Sequence, residues 1–260
     1  MNYLLALLAG AVQGLTEFLP ISSTGHLIIF EKIFNISQTE FGLAFDASLH
    51  LGTLLAILIF FFRDYLKVFS LKNQLYVKLI LGTIPAAVAG LFLETAIESQ
   101  FRQLWVVGLG LILFSLVIIL AEKFGPMVKK EKDVTLTNSL IIGLFQSLAL
   151  IPGVSRSGST ISGGLFLGLK RDEAARFAFL LSGPIIAGAG AKKFLEVISS
   201  ATLGNTDINY FLIGIVSSAI FGYLTIKYFL RYLSTRTLYP FVIYRVALGL
   251  ILIAFFFLSQ

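Results

Sequence analysis

The residues with the clearest chemical potential lie near the start of the chain, inside a stretch that is otherwise apolar. Gln13 and Glu17 are spaced i, i+4, which places both side chains on one face of a helix. Pro20 ends that helix, and the hydroxyl residues 22–24 precede His26. A carboxylate inside an apolar segment is costly and usually marks a functional site with a partner nearby. The hydroxyls alone would also suit ordinary helix N-capping, so the acid gives the stronger indication of function.

A second polar stretch surrounds Arg156, at the predicted start of a short apolar helix. It runs from Gly153 to Thr160 and contains the hydroxyls of Ser155 and Ser157. A guanidinium offers paired donors to a phosphate, and the free backbone N–H groups of a helix start add a positive end. The stretch differs from the nucleotide P-loop, which needs Gly-Lys-Ser/Thr after a strand. The pattern therefore indicates a phosphate site of another kind.

The two stretches are diverged copies of one sequence. At a constant offset of 133 residues, five residues of the first have identical partners in the second: Gly10, Gln13, Leu15, Ser22 and Gly25. The prolines miss this register by one residue. One copy carries the acid and the histidine, and the other carries the arginine. The duplication therefore predicts one composite polar site to which each half contributes.

The composition is typical of a membrane protein. Hydrophobic residues make up 57% of the chain and charged residues 13%. Several nearly uncharged runs approach the roughly 20 residues that cross a hydrocarbon core of about 30 Å. The net charge of +6 does not indicate nucleic acid, because the basic residues lie in loops between apolar segments.

Residue counts exclude several kinds of site. The chain has no cysteine, which excludes disulfides, thiolate zinc sites and a thiol nucleophile. Its two histidines, His26 and His50, are too few for a three-histidine metal centre. Asp46 and His50 also have i, i+4 spacing, and we interpret them as an interfacial hydrogen-bonded pair.

Ten apolar segments follow one another along the chain, and all are predicted to be helical. The second and the seventh are too short to span a bilayer, and each follows a proline and a cluster of small polar residues. Each is therefore expected to pair with the segment before it as a re-entrant helical hairpin, which a membrane tolerates inside protein or beside a water-filled cavity. The segments are residues 3–19, 23–34, 42–62, 76–93, 103–121, 138–151, 158–168, 173–191, 209–230 and 239–258.

The segments fall into two halves around a charged linker. Residues 1–121 form the first membrane repeat, 122–137 the linker expected in the cytoplasm, and 138–260 the second repeat. We predict an all-α polytopic membrane protein with two inverted-topology repeats, each a re-entrant helical hairpin plus three transmembrane helices. With the linker inside, fifteen basic residues, Arg245 among them, fall in inside loops, and four, Arg102 among them, fall outside. Both termini would then face outward.

The two motifs resemble those of a known family, the undecaprenyl-diphosphate phosphatases of the bacitracin-resistance type. The family's first motif is Glu/Gln-x-x-x-Glu followed by Phe-Leu-Pro, a hydrophobic residue and Ser-Ser-Thr-Gly-His, and it is matched from Gln13 to His26. The second, Pro-Gly-x-Ser-Arg-Ser-Gly-x-Thr, is matched from Pro152 to Thr160. The resemblance covers nearly the whole chain. Gln13 stands where many members carry a second glutamate, which weakens a two-carboxylate metal site.

The resemblance implies hydrolysis of undecaprenyl diphosphate to undecaprenyl phosphate and phosphate at the outer face of the bacterial cytoplasmic membrane. This reaction recycles the lipid carrier for peptidoglycan synthesis, on which cell shape depends, and confers bacitracin resistance. A divalent cation, Mg²⁺ or Ca²⁺, is expected, with Glu17 and Gln13 as its ligands. The expected partners are the polyprenyl diphosphate lipid and membrane lipids, without nucleic acid. The sequence leaves the oligomeric state undecided, with a homodimer as one option.

Catalytic roles are expected for Glu17, Ser23, His26 and Arg156, with Arg156 binding the transferred phosphoryl group. Three attacking groups stay open: Ser23 with His26 as general base or acid, His26 itself through a phosphohistidine, or a metal-activated water. A polyprenyl-phosphate flippase or transporter is the alternative function, because inverted repeats with broken helices are also a transporter architecture. The residues expected to bind substrate phosphates are Ser22, Thr24, Ser155, Ser157 and Thr160.

Overall fold

Eleven α-helices are found in the computed structural model, which describes residues 3–36, 43–66, 74–97, 101–199 and 208–258. Within these residues there is no strand, and one isolated bridge joins Lys129 to Leu169. The helices of the first half are α1 (Tyr3–Phe18), α2 (Ser23–Ile33), α3 (Leu43–Phe60), α4 (Phe62–Leu66), α5 (Leu75–Ala96) and α6 (Leu104–Phe124). Those of the second half are α7 (Leu136–Leu148), α8 (Arg156–Phe166), α9 (Arg171–Ser199), α10 (Ile208–Leu233) and α11 (Tyr239–Leu258).

All ten apolar segments predicted from the sequence are helices in the structure, and the short α4 follows α3 directly. Among the described residues, four stretches are long and apolar enough to cross a membrane: α6, α10, α11 and Leu75–Leu93 of α5. The helices α1 and α7 and the stretch Phe45–Phe60 of α3 are shorter apolar helices. The 29-residue α9 is long enough but less apolar, since its first turn carries charged side chains. The all-helical, multi-pass architecture is therefore confirmed.

The long helices present apolar side chains outward. In α11, Ile243 and Phe257 are each 70% exposed, whereas Arg245 of the same helix is 0% exposed. An apolar surface of this kind suits contact with lipid chains and would be unfavourable in water. The usual orientation of a soluble helix is thus inverted, with the polar group inside.

The helix pairs α1–α2 and α7–α8 share one local construction. The second helix of each pair has 11 residues and follows a serine with positive φ, 72° at Ser22 and 77° at Ser155. Each serine hydroxyl accepts a hydrogen bond from the N–H of the glycine three residues later, at 3.3 Å and 3.2 Å. These N-caps satisfy donors that the start of a helix leaves free. The duplicated motifs therefore fold into the same local structure.

Glycines attach each hairpin to a helix of the other half of the chain. Gly10 of α1 lies against the carbonyl of Gly214 in α10, and Gly143 of α7 lies against the carbonyl of Gly82 in α5. A Cβ at Gly10 or Gly143 would overlap that backbone. Close approach through small residues is a common way to pack helices in membranes, where the hydrophobic effect does not drive them together.

Charged residues join the helices at the end of the molecule that carries the linker. Glu122 of α6 pairs with Arg171 of α9 at 2.7 Å and accepts a hydrogen bond from Leu238 N at 2.8 Å. Arg176 of α9 pairs with Asp64 of α4 at 2.6 Å. These contacts connect α9 with α6 and with α4, and α6 with the residue that precedes α11.

Candidate active site

The tips of the two hairpins are in direct contact. Ser22 Oγ accepts a hydrogen bond from Gly153 N at 3.2 Å, and Ser157 Oγ donates one to Leu19 O at 2.8 Å. Each hairpin thus holds the chain of the other at the point where its helix is broken. The two stretches that resemble one another in sequence therefore meet in space.

Glu17 lies at the centre of this contact and is only 6% exposed. Its Oε1 is paired with the guanidinium of Arg156. Its Oε2 accepts hydrogen bonds from Ser23 Oγ at 2.6 Å and from Gln13 Nε2 at 2.8 Å, and His50 Nε2 lies 3.7 Å away. A buried carboxylate needs such partners, because an unpaired charge there is strongly unfavourable. The acid of one hairpin and the arginine of the other therefore form one buried ion pair.

A cavity of about 330 Å³ opens beside this ion pair. Glu17, Ser23 and Arg156 form its polar wall, and apolar residues, with Ala86 of α5 and Ile186 of α9 among them, line other parts of the cavity. Pockets that combine an apolar lining with a few convergent polar groups are typical ligand sites. The cavity therefore suits a molecule with a charged head and an apolar tail.

Six residues that the sequence assigned to the site line the cavity: Glu17, Ser22, Ser23, Thr24, Ser155 and Arg156. Ser157 and Thr160, predicted to bind phosphate, do not line this cavity but lie with Glu17 and Arg156 at a second, smaller pocket. The Thr160 hydroxyl donates to the carbonyl of Arg156 at 2.8 Å, and the Ser157 hydroxyl bonds to Leu19 as described above. In this structure both hydroxyls hold the backbone that carries Arg156. Gln13, fully buried, supports Glu17.

His26 is held by two partners away from the polar wall. Its Nδ1 lies 2.7 Å from Ser22 O, and its Nε2 lies 2.6 Å from the hydroxyl of Tyr244, whose ring stacks on the imidazole. His26 is not among the described residues that line the cavity. The sequence places His26 and Ser23 together as base and nucleophile, but the structure pairs Ser23 with Glu17, because the turn of α2 directs the imidazole toward α11.

Four polar residues that line the cavity were not assigned to the site from the sequence: Asp46, His50, Arg102 and Gln146. Asp46 and His50, interpreted from the sequence as an interfacial hydrogen-bonded pair, both line the cavity. His50 Nδ1 lies 2.8 Å from the carbonyl of Asp46, and Nε2 is directed toward Glu17. Arg102, expected in an outer loop, donates to the Asp46 carboxylate at 3.2 Å. The i, i+4 spacing could have identified Asp46 and His50, and the duplication could have identified Gln146 as the copy of Gln13; no pattern signalled Arg102.

The site offers oxygen ligands that suit a divalent cation. Gln13 Oε1 is buried and has no hydrogen-bond partner among the described residues, and the same amide donates to Glu17. Carboxylate and amide oxygens are the ligands that Mg²⁺ and Ca²⁺ prefer. The described residues contain no group of three or more His, Asp or Glu side chains that could hold a metal. Glu17 and Gln13 thus offer oxygen atoms of the kind that would hold such a cation.

Fold and site together define a class: a multi-pass helical membrane protein whose single composite polar centre lies between two duplicated hairpins. Enzymes that catalyse phosphoryl transfer use such groups: a hydroxyl that is hydrogen-bonded to a carboxylate, and a guanidinium beside them.

Comparison with known proteins places the chain within this class. The sequence profile described as "Bacitracin resistance protein BacA" matches residues 6–251, and the chain belongs to this family. It is 41% identical to the undecaprenyl-diphosphatase of Rubrobacter xylanophilus, over 98% of both chains. It is 42% identical to the undecaprenyl-diphosphatase of Thermodesulfovibrio yellowstonii, over 97% of this chain and 96% of the relative. The undecaprenyl-diphosphatase of Pelobacter propionicus is 43% identical over 96% and 95%.

Proposed function

We propose that this protein hydrolyses undecaprenyl diphosphate to undecaprenyl phosphate and inorganic phosphate. The observation that carries the proposal is the contact of Ser23, Glu17 and Arg156 on the polar wall of an otherwise apolar cavity. An isoprenoid diphosphate has a charged head and a long apolar tail, and the cavity matches both. The names of the relatives give independent support.

Ser23 is the proposed nucleophile and Glu17 its general base. The Ser23 hydroxyl already donates to the Glu17 carboxylate at 2.6 Å, which is the distance that proton transfer requires. Ser23 Oγ attacks the terminal phosphorus, its proton passes to Glu17 Oε2, and the anhydride P–O bond breaks to release undecaprenyl phosphate. Glu17 passes this proton to the departing undecaprenyl phosphate and is again a carboxylate. Water then attacks the phosphoserine and loses a proton to Glu17, which returns it to Ser23 Oγ as the serine P–O bond breaks, so that phosphate is released and Ser23 is restored.

Arg156 is proposed to bind the transferred phosphoryl group. In the structure described here its guanidinium is paired with Glu17, so the arrival of a diphosphate gives it a second anionic partner. Its position at the start of α8 adds backbone N–H groups to the same site. Stabilisation of the charge that develops on the phosphoryl oxygens is usually the largest catalytic contribution in such reactions.

A divalent cation is proposed to bind with the substrate, held by Glu17 and by the Oε1 of Gln13. When bound, the cation would neutralise part of the diphosphate charge. Gln13 also keeps Glu17 oriented toward Ser23 through its 2.8 Å hydrogen bond.

We further propose that the two halves of the chain form an inverted repeat and that the hairpins α1–α2 and α7–α8 are re-entrant. Exchange of the two halves maps the contact of α1 with α10 onto that of α7 with α5, and the contacts of α3 with α9 and of α6 with α11 onto themselves. The matched serine caps support the same relation. A hairpin that returns to its own side leaves three crossings per half, and an odd number of crossings turns the second half upside down.

The proposed location is the bacterial cytoplasmic membrane, with the cavity facing outward. Arg102, one of the few basic residues expected outside, lies beside the cavity and contacts Asp46. The linker and the Arg171–Glu122 pair would lie on the cytoplasmic side. In this place the reaction would return lipid carrier to peptidoglycan synthesis and confer resistance to bacitracin.

The direct test is hydrolysis by the purified protein. Undecaprenyl diphosphate and a divalent cation are incubated with the protein in detergent, with and without chelator, and released phosphate is measured. Ser23→Ala serves as the control, since it removes the proposed nucleophile and little volume. We expect phosphate release from the parent protein, loss with chelator and loss in Ser23→Ala. Movement of labelled undecaprenyl phosphate across vesicles without any hydrolysis would favour the flippase.

A further inference from the structure

Arg245 contacts the break of both hairpins. It lies in α11 at 0% exposure, although the sequence places it among basic residues of the inside loops. Nη1 donates to Pro20 O at 2.8 Å, and Nη2 donates to Gly153 O at 3.0 Å. The same guanidinium reaches α6, where its partners are Gly110 O and Ser115 Oγ at 3.3 Å and 3.1 Å.

The carbonyls of Pro20 and Gly153 have no helical hydrogen bond, because they lie where the two hairpins are broken. Pro20 lies beyond the end of α1, and Gly153, with a φ of 94°, lies between α7 and α8. A buried carbonyl without a partner is costly in a membrane, so a donor is needed at each break. A planar guanidinium has five N–H groups in fixed directions and can serve carbonyls on several elements at once. A lysine ammonium at the same place has no comparable fork.

The two contacts occupy equivalent places relative to the reactive groups. Pro20 precedes Ser23 by three residues, and Gly153 precedes Arg156 by three residues. The single guanidinium of Arg245 thus holds the backbone one turn before the proposed nucleophile and one turn before the phosphate-binding arginine. A displacement of either tip would separate Ser23 from Arg156.

We infer that Arg245 is a positioning residue, which fixes the two hairpin tips relative to each other so that Ser23 and Arg156 face the same phosphoryl group. The inference rests on the proposed function. Arg245 acts through the carbonyls of Pro20 and Gly153 and does not touch the substrate. Its loss should therefore slow the chemical step more than it weakens binding.

The test compares Arg245→Lys and Arg245→Ala with Arg171→Lys. Arg171 is a matched control, because it also joins helices, through Glu122, but lies outside the cavity. For Arg245→Lys we expect kcat to fall about 100-fold with KM changed by less than about threefold, since misplacement of reacting groups by about 1 Å has an effect of that order. Added methylguanidinium should raise the kcat of Arg245→Ala at least about tenfold, whereas methylammonium should not.

Several results would overturn the inference. A kcat of Arg245→Lys within about threefold of the parent would show that the several fixed N–H donors of the guanidinium are not needed. A rise in KM at constant kcat would make Arg245 a binding residue. Failure of both variants to fold, measured by thermal melting and gel filtration next to Arg171→Lys, would make Arg245 a general structural residue. The absence of hydrolysis by the parent protein would instead refute the proposed function, so the two failures are distinguishable.

Discussion

Glu17 divides its two oxygens between the halves of the chain. Oε1 pairs with Arg156 from the second half, and Oε2 accepts the hydrogen bond of Ser23 from the first. The ion pair keeps both charges compensated inside the protein before substrate arrives. The same contact places the guanidinium close to Ser23, the proposed nucleophile.

The first prediction concerns the shape of the Arg156 side chain. Arg156→Lys should lower kcat/KM by about 100-fold or more although it keeps the charge, because one ammonium cannot supply two parallel donors to a phosphoryl group. The measurement is steady-state phosphate release from undecaprenyl diphosphate. Arg171→Lys, outside the cavity, should stay close to the parent protein. Near-normal turnover in Arg156→Lys would exclude the phosphate-binding role.

The second prediction distinguishes the nucleophiles. Ser23→Ala should abolish turnover, whereas His26→Ala should leave slow residual hydrolysis, because Ser23 contacts Glu17 while both ring nitrogens of His26 have protein partners. A rapid quench with labelled substrate should trap an acid-stable adduct on Ser23. An acid-labile adduct that disappears in His26→Ala would instead identify His26 as the nucleophile.

At this scale the sequence identified the groups with unusual chemistry and missed those that act by position. Glu17, Ser23 and Arg156 stand in long motifs, and their surroundings make a charge there improbable without a function. Arg245 stands in an ordinary apolar segment, and only the folded chain brings it to Pro20 and Gly153. The same holds for Arg102, whose partner Asp46 is 56 residues away.

At the scale of the helices, the packing of each hairpin on a long helix depends on glycines at the contact. Gly10 and Gly143 are equivalent in the duplicated motifs, and both touch the backbone of a helix from the other half. In a membrane such close contacts replace much of the attraction that water provides for soluble helices. The position of each hairpin, and so of each tip, follows from this packing.

The third prediction tests the packing of α7 on α5. Gly143→Ala should destabilise the protein by about 1–3 kcal/mol, because its Cβ would overlap the backbone of Gly82. Gly188→Ala is the matched control: Gly188 is also a helical glycine, and nothing lies within 4 Å of its added Cβ. Thermal melting in detergent should show a lower transition for the first variant and an unchanged or slightly higher one for the second. Equal melting temperatures would contradict the close contact.

The existence of the helices could be predicted from the sequence more reliably than their ends. Apolar runs and the prolines after α1 and α7 gave all ten segments. The run 173–191 gave no sign that α9 extends to Ser199, because Lys192 and Lys193 interrupt its apolar character. The caps at Ser22 and Ser155 were visible as hydroxyls, but their positive φ was not indicated by the residue type.

The whole molecule has an apolar outer surface around a polar centre, and its basic residues are predicted to be distributed unequally between the two sides of the membrane. This distribution is the physical basis of orientation, since basic loops remain on the cytoplasmic side. The fourth prediction follows. In intact cells an impermeant thiol reagent should label Lys32→Cys and should not label Lys130→Cys, which should react only after permeabilisation.

The protein has no cysteine of its own, so each label reports one site. Lys32 and Lys130 are both exposed in the structure, which makes access to the reagent depend on the side of the membrane alone. Labelling of Lys130→Cys in intact cells, with Lys32→Cys protected, would reverse the proposed orientation. The termini were also predicted to face outward, but Asn2 and Gln260 lie outside the described residues.

The Glu17–Arg156 pair also sets a condition on how the protein is made, because its partners are 139 residues apart. At roughly 5–20 residues per second, the ribosome adds Arg156 about 7–28 s after Glu17. During that interval the newly synthesised first hairpin carries the Glu17 carboxylate, while Arg156 has not yet been added to the chain. It must wait at the aqueous boundary of the bilayer or bind a proton, since a bare charge in hydrocarbon is too costly. Final seating of the first hairpin is therefore a late event in biogenesis, timed by the arrival of the second.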